Sequence, residues 1–221
     1  ALACDPISAF GGIVSCNFKI NKKLALELSK LFLEVIIGIN FDKDALKILK
    51  RKKNLRLIDA SNFTHSEILK FTSTNDNILV QSEDKKMFKR NDFKIVSKKK
   101  PSISLFNDLI FAFNICRYVK SNAIVLASNK STLGIGCGQT SRLDSCQIAI
   151  DKMKKFTKTS KDIVAASDAF FPFTDGIEKL VQSGVKAVIQ PAGSIKDKEV
   201  IKFANETGTI LVFSKTRHFR H

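Results

Sequence analysis

The sequence predicts an α/β fold, and two observations support that prediction. In the second half, short β-branched runs alternate with stretches whose apolar residues recur at helical spacing. The first part of the chain shows the same order of strand, helix, strand and helix. At 221 residues the chain is long enough to bury the core of one large domain or of two modest ones.

The first half opens with a predicted strand at residues 11–16 (GGIVSC). A helix is expected over 21–34, with Leu24, Leu28, Leu31 and Phe32 on one face. The apolar run VIIGI at 35–39 is typical of a strand buried on both faces. A second helix is predicted in FDKDALKILKRKK, with Asp42 at its N-cap. Residues 54–100 are less regular, and strands are predicted there in LRLID, NILVQ and DFKIVS.

The KKKPS stretch at 98–102 is the predicted internal boundary, because it joins a charge run to a proline. The longest helix is expected over 104–122, where apolar residues at 105, 109, 112, 116 and 119 keep a helical period. The later elements then alternate in the order strands AIVLA and TLGIG, helix SRLDSCQIAIDKM, strand DIVAAS, helix TDGIEKLVQSG, strand KAVIQ, helix KDKEVIKFANETG and strand TILVF.

The formal charge of +16 suggests nucleic acid as a possible ligand. However, the lysines are spread along the chain, and no aromatic pair is placed as a stacking platform. A solvated basic surface is therefore the preferred interpretation, and its positive field would steer small anionic substrates. No apolar run approaches the roughly 20 residues that span a bilayer, and the N-terminus does not resemble a signal peptide. We expect a soluble cytoplasmic protein, and the missing initiator methionine suggests that the chain comes from a longer one.

The five cysteines are scattered, with no CxxC pair, which favours a reduced protein. His218 and His221 would need further ligands from elsewhere to bind a metal, so no metal site is expected.

The segment GIGCGQTSR at 134–142 fits neither the dinucleotide pattern nor a Walker loop. It does place Gly134, Gly136 and Gly138 on one face of an extended segment, where a ligand or another backbone can approach closely. Arg142 then falls in the first turn of a helix, where a guanidinium beside free N–H groups makes an anion site. The alternative is a glycine-rich strand packed on a helix, with Arg142 in a surface ion pair.

Asn122 precedes a predicted buried strand, where it could read a ligand amide or simply end a helix. In SDAFFPFTDG, the aromatic rings could hold a heterocycle, and Asp175 could pair with the N–H donors of an aminopyrimidine. Alternatively, Asp175 caps a helix, and Phe171 and Phe173 are core residues. The C-terminal RHFRH is either a disordered basic tail or a segment docked on an anion, and the preceding strand favours docking.

Seven segments in order closely resemble the formyltransferase domain of the bifunctional purine biosynthesis protein family: DPISAFGGIV, FLEVII, VKSNAIV, GIGCGQTSR, SDAFFPFTDGI, VIQPAGSIKD and RHFRH. The resemblance runs from Asp5 to His221. It implies tandem cytidine-deaminase-like units with mixed sheets flanked by helices and without the deaminase zinc, and a homodimer with interfacial active sites. Residues 1–100 would be the C-terminal part of the first unit, and residues 101–221 the second.

The implied reaction moves a formyl group from 10-formyltetrahydrofolate to the amine of phosphoribosylaminoimidazolecarboxamide (AICAR) in purine biosynthesis, with no metal required and a monovalent cation possible. Asp175, Ser194 and Ile195 would contact the folate, and Asn122 would orient the reacting groups. By the same resemblance, the AICAR site is lined by Phe10, Gly11, Glu34, Asn122, Arg142, Phe170, Arg217 and His221.

Some family features are missing or altered. The family's catalytic Lys-His pair lies upstream of its DPxSAFGG segment, and no Lys-His dipeptide occurs in this sequence. The IMP cyclohydrolase domain of the family is also absent from the chain. We therefore expect a competent transformylase and IMP cyclohydrolase in the parent protein, and little or no activity from this chain alone. Residues 38–40 and 128–132 also differ from the family's usual loops.

Two rival functions make different demands on the sequence. A non-catalytic basic α/β module that binds nucleic acid or a protein partner would need a contiguous basic face and no pocket. A zinc deaminase is set aside, because the His-x-Glu and Pro-Cys-x-x-Cys ligand motifs do not occur.

Overall fold

The chain divides between Glu83 and Asp84 into two units that each build their own sheets. One unit is Pro6–Glu83, and the other joins Ala1–Asp5 to Asp84–His221. The computed structural model describes residues 2–64, 69–157 and 161–220. The predicted boundary lay later, at residues 98–102. The strand just before it hydrogen-bonds to the last strand of the chain, so residues 84–97 belong to the larger unit.

The unit Pro6–Glu83 confirms the predicted rhythm of strands and helices. Its elements are β1 (Gly12–Cys16), α1 (Lys22–Ser29), β2 (Leu33–Gly38), α2 (Lys43–Leu49) and β3 (Arg56–Asp59). The three strands are parallel in the order β1-β2-β3, and their core contains Ile20, Ile36 and Leu49. The first helix ends at Ser29, earlier than predicted, because the chain turns there to begin β2 at Leu33.

A two-stranded hairpin completes this unit. Its strands are β4 (Leu69–Thr74) and β5 (Asn77–Ser82), and every residue in them is exposed. The sequence predicted β5 but missed β4, since LKFTST has no apolar run that would mark a buried strand. Several large apolar side chains of the hairpin face solvent: Leu69, Phe71, Ile78, Leu79 and Val80.

The larger unit is built on six strands and four helices within the described residues. In chain order they are β6 (Phe93–Ile95), α3 (Ile103–Cys116), β7 (Ile124–Ser128), β8 (Ser131–Gly136), α4 (Arg142–Phe156), β9 (Ile163–Ser167), α5 (Asp175–Gln182), β10 (Val185–Pro191), α6 (Asp197–Glu206) and β11 (Ile210–Ser214). The strand order is β6-β11-β10-β9-β7-β8. Strands β9, β10 and β11 are parallel, while β6 and β7 run antiparallel to their neighbours.

Side-chain alternation along the strands separates two cores. Val125 and Ala127 face α3, whereas Ile124 and Leu126 face the layer of α4, α5 and α6. The sheet is therefore mixed and covered by helices on both faces, as predicted. Helix α3 ends at Cys116, before the predicted Asn122, yet Val119 is still buried as its spacing indicated.

This topology gathers six chain segments at one edge of the sheet. The carboxyl ends of β8, β9, β10 and β11 meet there with the amino ends of β6 and β7, because β6 and β7 run antiparallel to their neighbours. The segments adjoining those ends are the ones with the unusual polar and aromatic sequences. None of the helices in the described part of the chain is long and apolar enough to cross a membrane.

The glycines of β8 fix where the helix α4 lies. A Cβ atom on Gly134 would lie 2.0 Å from the carbonyl oxygen of Ala149, and one on Gly136 would lie 1.9 Å from that of Ser145. The two glycines therefore admit the helix backbone itself, which is the packing alternative raised by the sequence. Gly138 does not share this face: its φ is +68°, and an added Cβ would meet open space. The prediction of three glycines on one face was wrong at this position.

Gly136→Ala should destabilise the protein severely, because the new methyl group would overlap the carbonyl oxygen of Ser145. We expect the free energy of unfolding to fall by about 3 kcal/mol, measured by urea denaturation. Gly208→Ala is the matched control: its φ is +66° and its surroundings are open, so it should lose only about 1 kcal/mol. Equal losses in the two variants would contradict the close approach of α4 to β8.

Candidate functional site

Asp168, at the end of β9, joins four segments at the loop-rich edge of the larger unit. It is fully buried. Its Oδ1 accepts a hydrogen bond from Arg142 Nη2 at 2.8 Å, and its Oδ2 accepts one from Ser121 Oγ at 2.5 Å. Its backbone N–H donates to the Ala123 carbonyl at 3.2 Å, and its carbonyl accepts from the His218 N–H at 2.9 Å. One carboxylate thus holds the start of α4 and the approach to β7, while its backbone holds the C-terminal segment.

Arg142 is the first residue of α4, whose N-cap Ser141 accepts a hydrogen bond from the Asp144 N–H. The Arg142 Nε donates to Ser167 Oγ at 3.0 Å, in addition to the bond from Nη2 to Asp168. The side chain is 13% exposed and that of Asp168 is 0% exposed, so this is a buried ion pair and not the surface pair considered from the sequence. Nη1 forms no hydrogen bond within the described ranges, and it is the part of the guanidinium that Arg142 can offer to an anion.

The orientation of the Asn122 amide is set by the loop that precedes α4. Its Nδ2 donates to the carbonyl oxygens of Gln139 and Thr140, both at 2.9 Å. A flipped amide would set its oxygen against two carbonyl oxygens, so the contacts themselves fix which atom is which. Both donors are used, and what Asn122 has left for a ligand is the acceptor Oδ1.

The half-buried Phe170 and the exposed Arg217 form an aromatic and cationic surface beside this network. The Arg217 guanidinium carbon lies 4.9 Å from the Phe170 ring centroid, within the range of a cation–π interaction. Arg217 also approaches Gly193, where an added Cβ would come within 3.8 Å of Nη2. Of the neighbouring aromatic residues, Phe171 is buried as considered from the sequence, whereas Phe173 is 60% exposed and is not a core residue.

The residues predicted to contact the folate lie at the same edge of the sheet, in the segments that follow β9 and β10. Asp175 is the first residue of α5, and its Oδ1 accepts from the Gly176 N–H at 2.7 Å; the N-cap is Thr174. Ser194 Oγ accepts from the Lys196 N–H at 3.1 Å. Ile195 is 99% exposed, which is unusual for a large apolar side chain beside a polar cluster.

The remaining predicted residues belong to the other unit or to no described part of the chain. Phe10 is 78% exposed and stacks on Phe32 at a centroid distance of 4.6 Å. Gly11 has a φ of +71°, and a Cβ there would lie 3.6 Å from Glu34 Oε1. These residues form a single exposed patch in Pro6–Glu83. His221 lies outside the described residues.

Four residues of the polar network were not among the predicted site residues: Ser121, Ser167, Asp168 and His218. Asp168 carried a usable signal, because it is a carboxylate directly after the apolar strand run DIVAAS, at the end where ligand sites of such sheets lie. Ser121 had no such signal, since its role depends on a contact with a residue 47 positions away.

The described residues contain no group of three or more His, Cys, Asp or Glu side chains that could hold a metal ion. All five cysteines are free thiols. Burial raises the pKa of Cys146 to about 12 and that of Cys116 well above its usual value. Neither thiol is therefore a nucleophile at neutral pH.

A family model and curated relatives of this chain agree on one family. The model of the family described as the AICARFT/IMPCHase bienzyme matches residues 1–152. The bifunctional purine biosynthesis proteins PurH of Persephonella marina and of Aquifex aeolicus are each 45% identical to this chain, over 223 and 221 residues. In both cases the alignment covers 100% of this chain and 43% of the relative, so the chain spans less than half the length of these proteins.

Among solved structures, the dCMP deaminase of cyanophage S-TIM5 is 19% identical, with a TM-score of 0.35. The match covers 51% of this chain and 98% of the deaminase. A likeness of that size carries no argument about fold or function.

Arg142→Ala should destabilise the protein even without a ligand, because it leaves the Asp168 carboxylate buried and unpaired. We expect a loss of about 3 kcal/mol in the free energy of unfolding, measured by chemical denaturation. Lys202→Ala is the control, since it removes a cation from an exposed pair with Glu206 and should change stability by under about 0.5 kcal/mol. If Arg142→Ala unfolds like Lys202→Ala, the pair does not organise this edge.

Proposed function

The chain belongs to the AICARFT/IMPCHase bienzyme family, and on that premise we propose that it forms part of an AICAR formyltransferase. The enzyme would move a formyl group from 10-formyltetrahydrofolate to the AICAR amine in purine biosynthesis, and the parent protein would also be an IMP cyclohydrolase. The observation that carries the proposal is the convergence of Asn122, Arg142, Phe170 and Arg217 at one sheet edge.

The chemistry of this edge suits an aminoimidazole carboxamide nucleotide. The Phe170 ring offers a face to a flat heterocycle, and Arg217 beside it offers a charge to a phosphate. Arg142 Nη1 is available to a carboxamide or phosphate oxygen. Asn122 Oδ1 accepts hydrogen bonds only, which matches an amine that must present its N–H groups while its lone pair attacks.

Formyl transfer passes through a tetrahedral oxyanion, so it needs orientation, proton removal and stabilisation of negative charge. Asn122 would supply the orientation. The buried Asp168 holds Arg142 rather than accepting a substrate proton, and no Lys-His dipeptide occurs in the sequence. The groups that move the proton and meet the oxyanion would therefore come from outside this sequence. We expect this chain to bind the nucleotide and to turn it over weakly or not at all.

The folate would lie against the loops after β9 and β10. The exposed carboxylate of Asp175 can accept the paired N–H donors of the pterin ring, and Ile195 can cover an apolar face of it. Ser194 would add a backbone or hydroxyl contact. No metal would be required for this chemistry, and binding of a monovalent cation is compatible with it.

The assembly that we propose is a cytoplasmic homodimer of tandem cytidine-deaminase-like units with active sites at the subunit interface. The exposed apolar side chains of the β4–β5 hairpin support a protein contact, because isolated hairpins of this kind are marginally stable in water. The exposed Phe10 and Glu34 and the half-buried Gly11 would also contact the nucleotide.

Titration calorimetry with AICAR at two salt concentrations tests the proposal directly. Saturable binding should survive moderate salt, and Arg217→Ala should weaken it at least about tenfold, because a contact to a charged group is lost. Lys215→Ala is the matched control, since it removes an equally exposed positive charge two residues away.

A different pattern would favour the rival function, a basic module that binds nucleic acid. In that case AICAR binding would be lost at higher salt and would weaken equally in both variants, while a DNA or RNA oligonucleotide would bind with a steep salt dependence. Fusing the upstream Lys-His segment of a relative to this chain should restore formyl transfer if the chain is part of a formyltransferase, and should not restore it if the chain is a nucleic-acid-binding module.

A further inference from the structure

His218 is a buried histidine in a segment that is otherwise largely exposed. Its side chain is 0% exposed, while Lys215, Arg217, Phe219 and Arg220 around it are exposed. The imidazole packs against Phe113 at a centroid distance of 4.6 Å and meets the Phe88 ring edge-on at 5.1 Å. Its Nδ1 lies 2.5 Å from Asp84 Oδ2. An imidazole thus fills an aromatic pocket with a single polar partner at its mouth.

The walls of this pocket are themselves fixed to α3. The Phe88 N–H donates to Asn114 Oδ1 at 3.0 Å, and Asn114 Nδ2 donates back to the Phe88 carbonyl at 3.4 Å. Arg117 Nη1 donates to the Lys86 carbonyl at 3.0 Å. Residues 84–88 have no regular secondary structure of their own, so these bonds and the imidazole hold them in place.

Docking of His218 fixes the backbone on both sides of it. The His218 N–H donates to the Asp168 carbonyl at 2.9 Å, and the Ser121 N–H donates to the Arg220 carbonyl at 2.9 Å. Arg220 Nη1 reaches the Tyr118 carbonyl at 3.1 Å. Arg217 is the residue directly before His218, and its guanidinium lies over the Phe170 ring. The buried residue therefore determines where its exposed neighbour can reach.

The imidazole is held in its neutral form. Burial lowers the pKa of His218 below its usual value of 6.5; the Asp84 and Asp168 carboxylates oppose this shift, and Arg117 adds to it. Neutral His218 donates from Nδ1 to Asp84, and its buried Nε2 has no partner among the described residues. Because the undocked histidine binds a proton more readily, docking is strongest above about pH 6.5 and weakens as the pH falls below it.

We propose that His218 is a positioning residue: held by Asp84, Phe88 and Phe113, it fixes the C-terminal segment so that Arg217 lies over Phe170 in the nucleotide site. The placement of Arg217 follows from the geometry alone, and its consequence for AICAR rests on the proposed function. His218 does not touch the nucleotide site itself; it acts through the residue before it and through the Asp168 carbonyl.

The test uses two readouts, one of which needs no ligand. In the NMR spectrum, the δ-methylene protons of Arg217 should be shifted upfield by the Phe170 ring. Asp84→Ala removes the acceptor of the Nδ1–H bond and His218→Ala removes the ring from the pocket, so each should move this resonance toward its random-coil position. AICAR affinity should then fall about tenfold as preorganisation is lost. His218→Phe keeps an aromatic ring in the pocket and the backbone bond to Asp168, so the protein should stay folded and the resonance should keep its upfield shift. Asp76→Ala, in the exposed hairpin turn, is the charge-matched control and should change neither readout.

Acidification gives an independent check on the same residue. In the unmodified protein the Arg217 shift should diminish below about pH 6.5, and in His218→Phe it should no longer follow that titration. An Arg217 resonance that keeps its upfield shift in both Asp84→Ala and His218→Ala would overturn the proposal. If the shift collapses as expected but the unmodified protein does not bind AICAR, the positioning role stands and the proposed function fails.

Discussion

The ion pair between Arg142 and Asp168 is the interaction on which the loop-rich edge of the larger unit depends. Both side chains are almost fully buried, and isolated charges in such a place would be strongly unfavourable. The pair is tolerable because Asp168 Oδ2 also accepts from Ser121 and Arg142 Nε also donates to Ser167. Such a pair contributes more to defining one arrangement of the loops than to overall stability, since an apolar replacement could be equally stable.

That arrangement explains how distant parts of the chain share one site. The carboxylate joins the end of β9 to the start of α4 and to the residue before Asn122, and the backbone of the same aspartate receives the C-terminal segment. The glycines of β8 contribute by letting α4 approach closely, which sets the depth of Arg142. The strand order brings these segments close together, and the buried ion pair fixes the orientation of the side chains between them.

The fold was largely predictable because its signals are local. The continuous apolar runs of β7, β9, β10 and β11 and the spacing of Leu105, Leu109 and Ala112 marked buried strands and a buried helix face correctly. Helix ends were less predictable: α1 ends at Ser29 because tertiary packing requires a strand from Leu33, against a local helical pattern that runs further. The exposed β4 was missed because LKFTST has no continuous apolar run like the one that marks the equally exposed β5.

The sequence indicated residues that meet at this edge of the sheet but not how they are connected, and their roles in a site remain predictions. The family resemblance indicated Asn122, Arg142, Phe170 and Arg217. No sequence pattern could show that two nitrogens of Arg142 donate hydrogen bonds to side chains of the protein itself. Long-range partners such as His218 and Asp84, which are 134 positions apart, leave no periodic trace. Contacts of this kind are properties of the folded chain.

Both N–H donors of the Asn122 amide are already hydrogen-bonded within the protein, and this affects which ligands the proposed site could accept. Two backbone carbonyls of the loop before α4 hold the amide, so its orientation is already fixed before a ligand binds. A nucleotide with an oxygen in place of the amine would set one lone pair against another, and no rotation of the amide could relieve that repulsion without breaking both bonds to the loop. If Asn122 contacts the amine as proposed, rejection of such an oxo analogue would follow from the backbone carbonyls of residues 139–140, which lie directly behind the side chain that the ligand would touch.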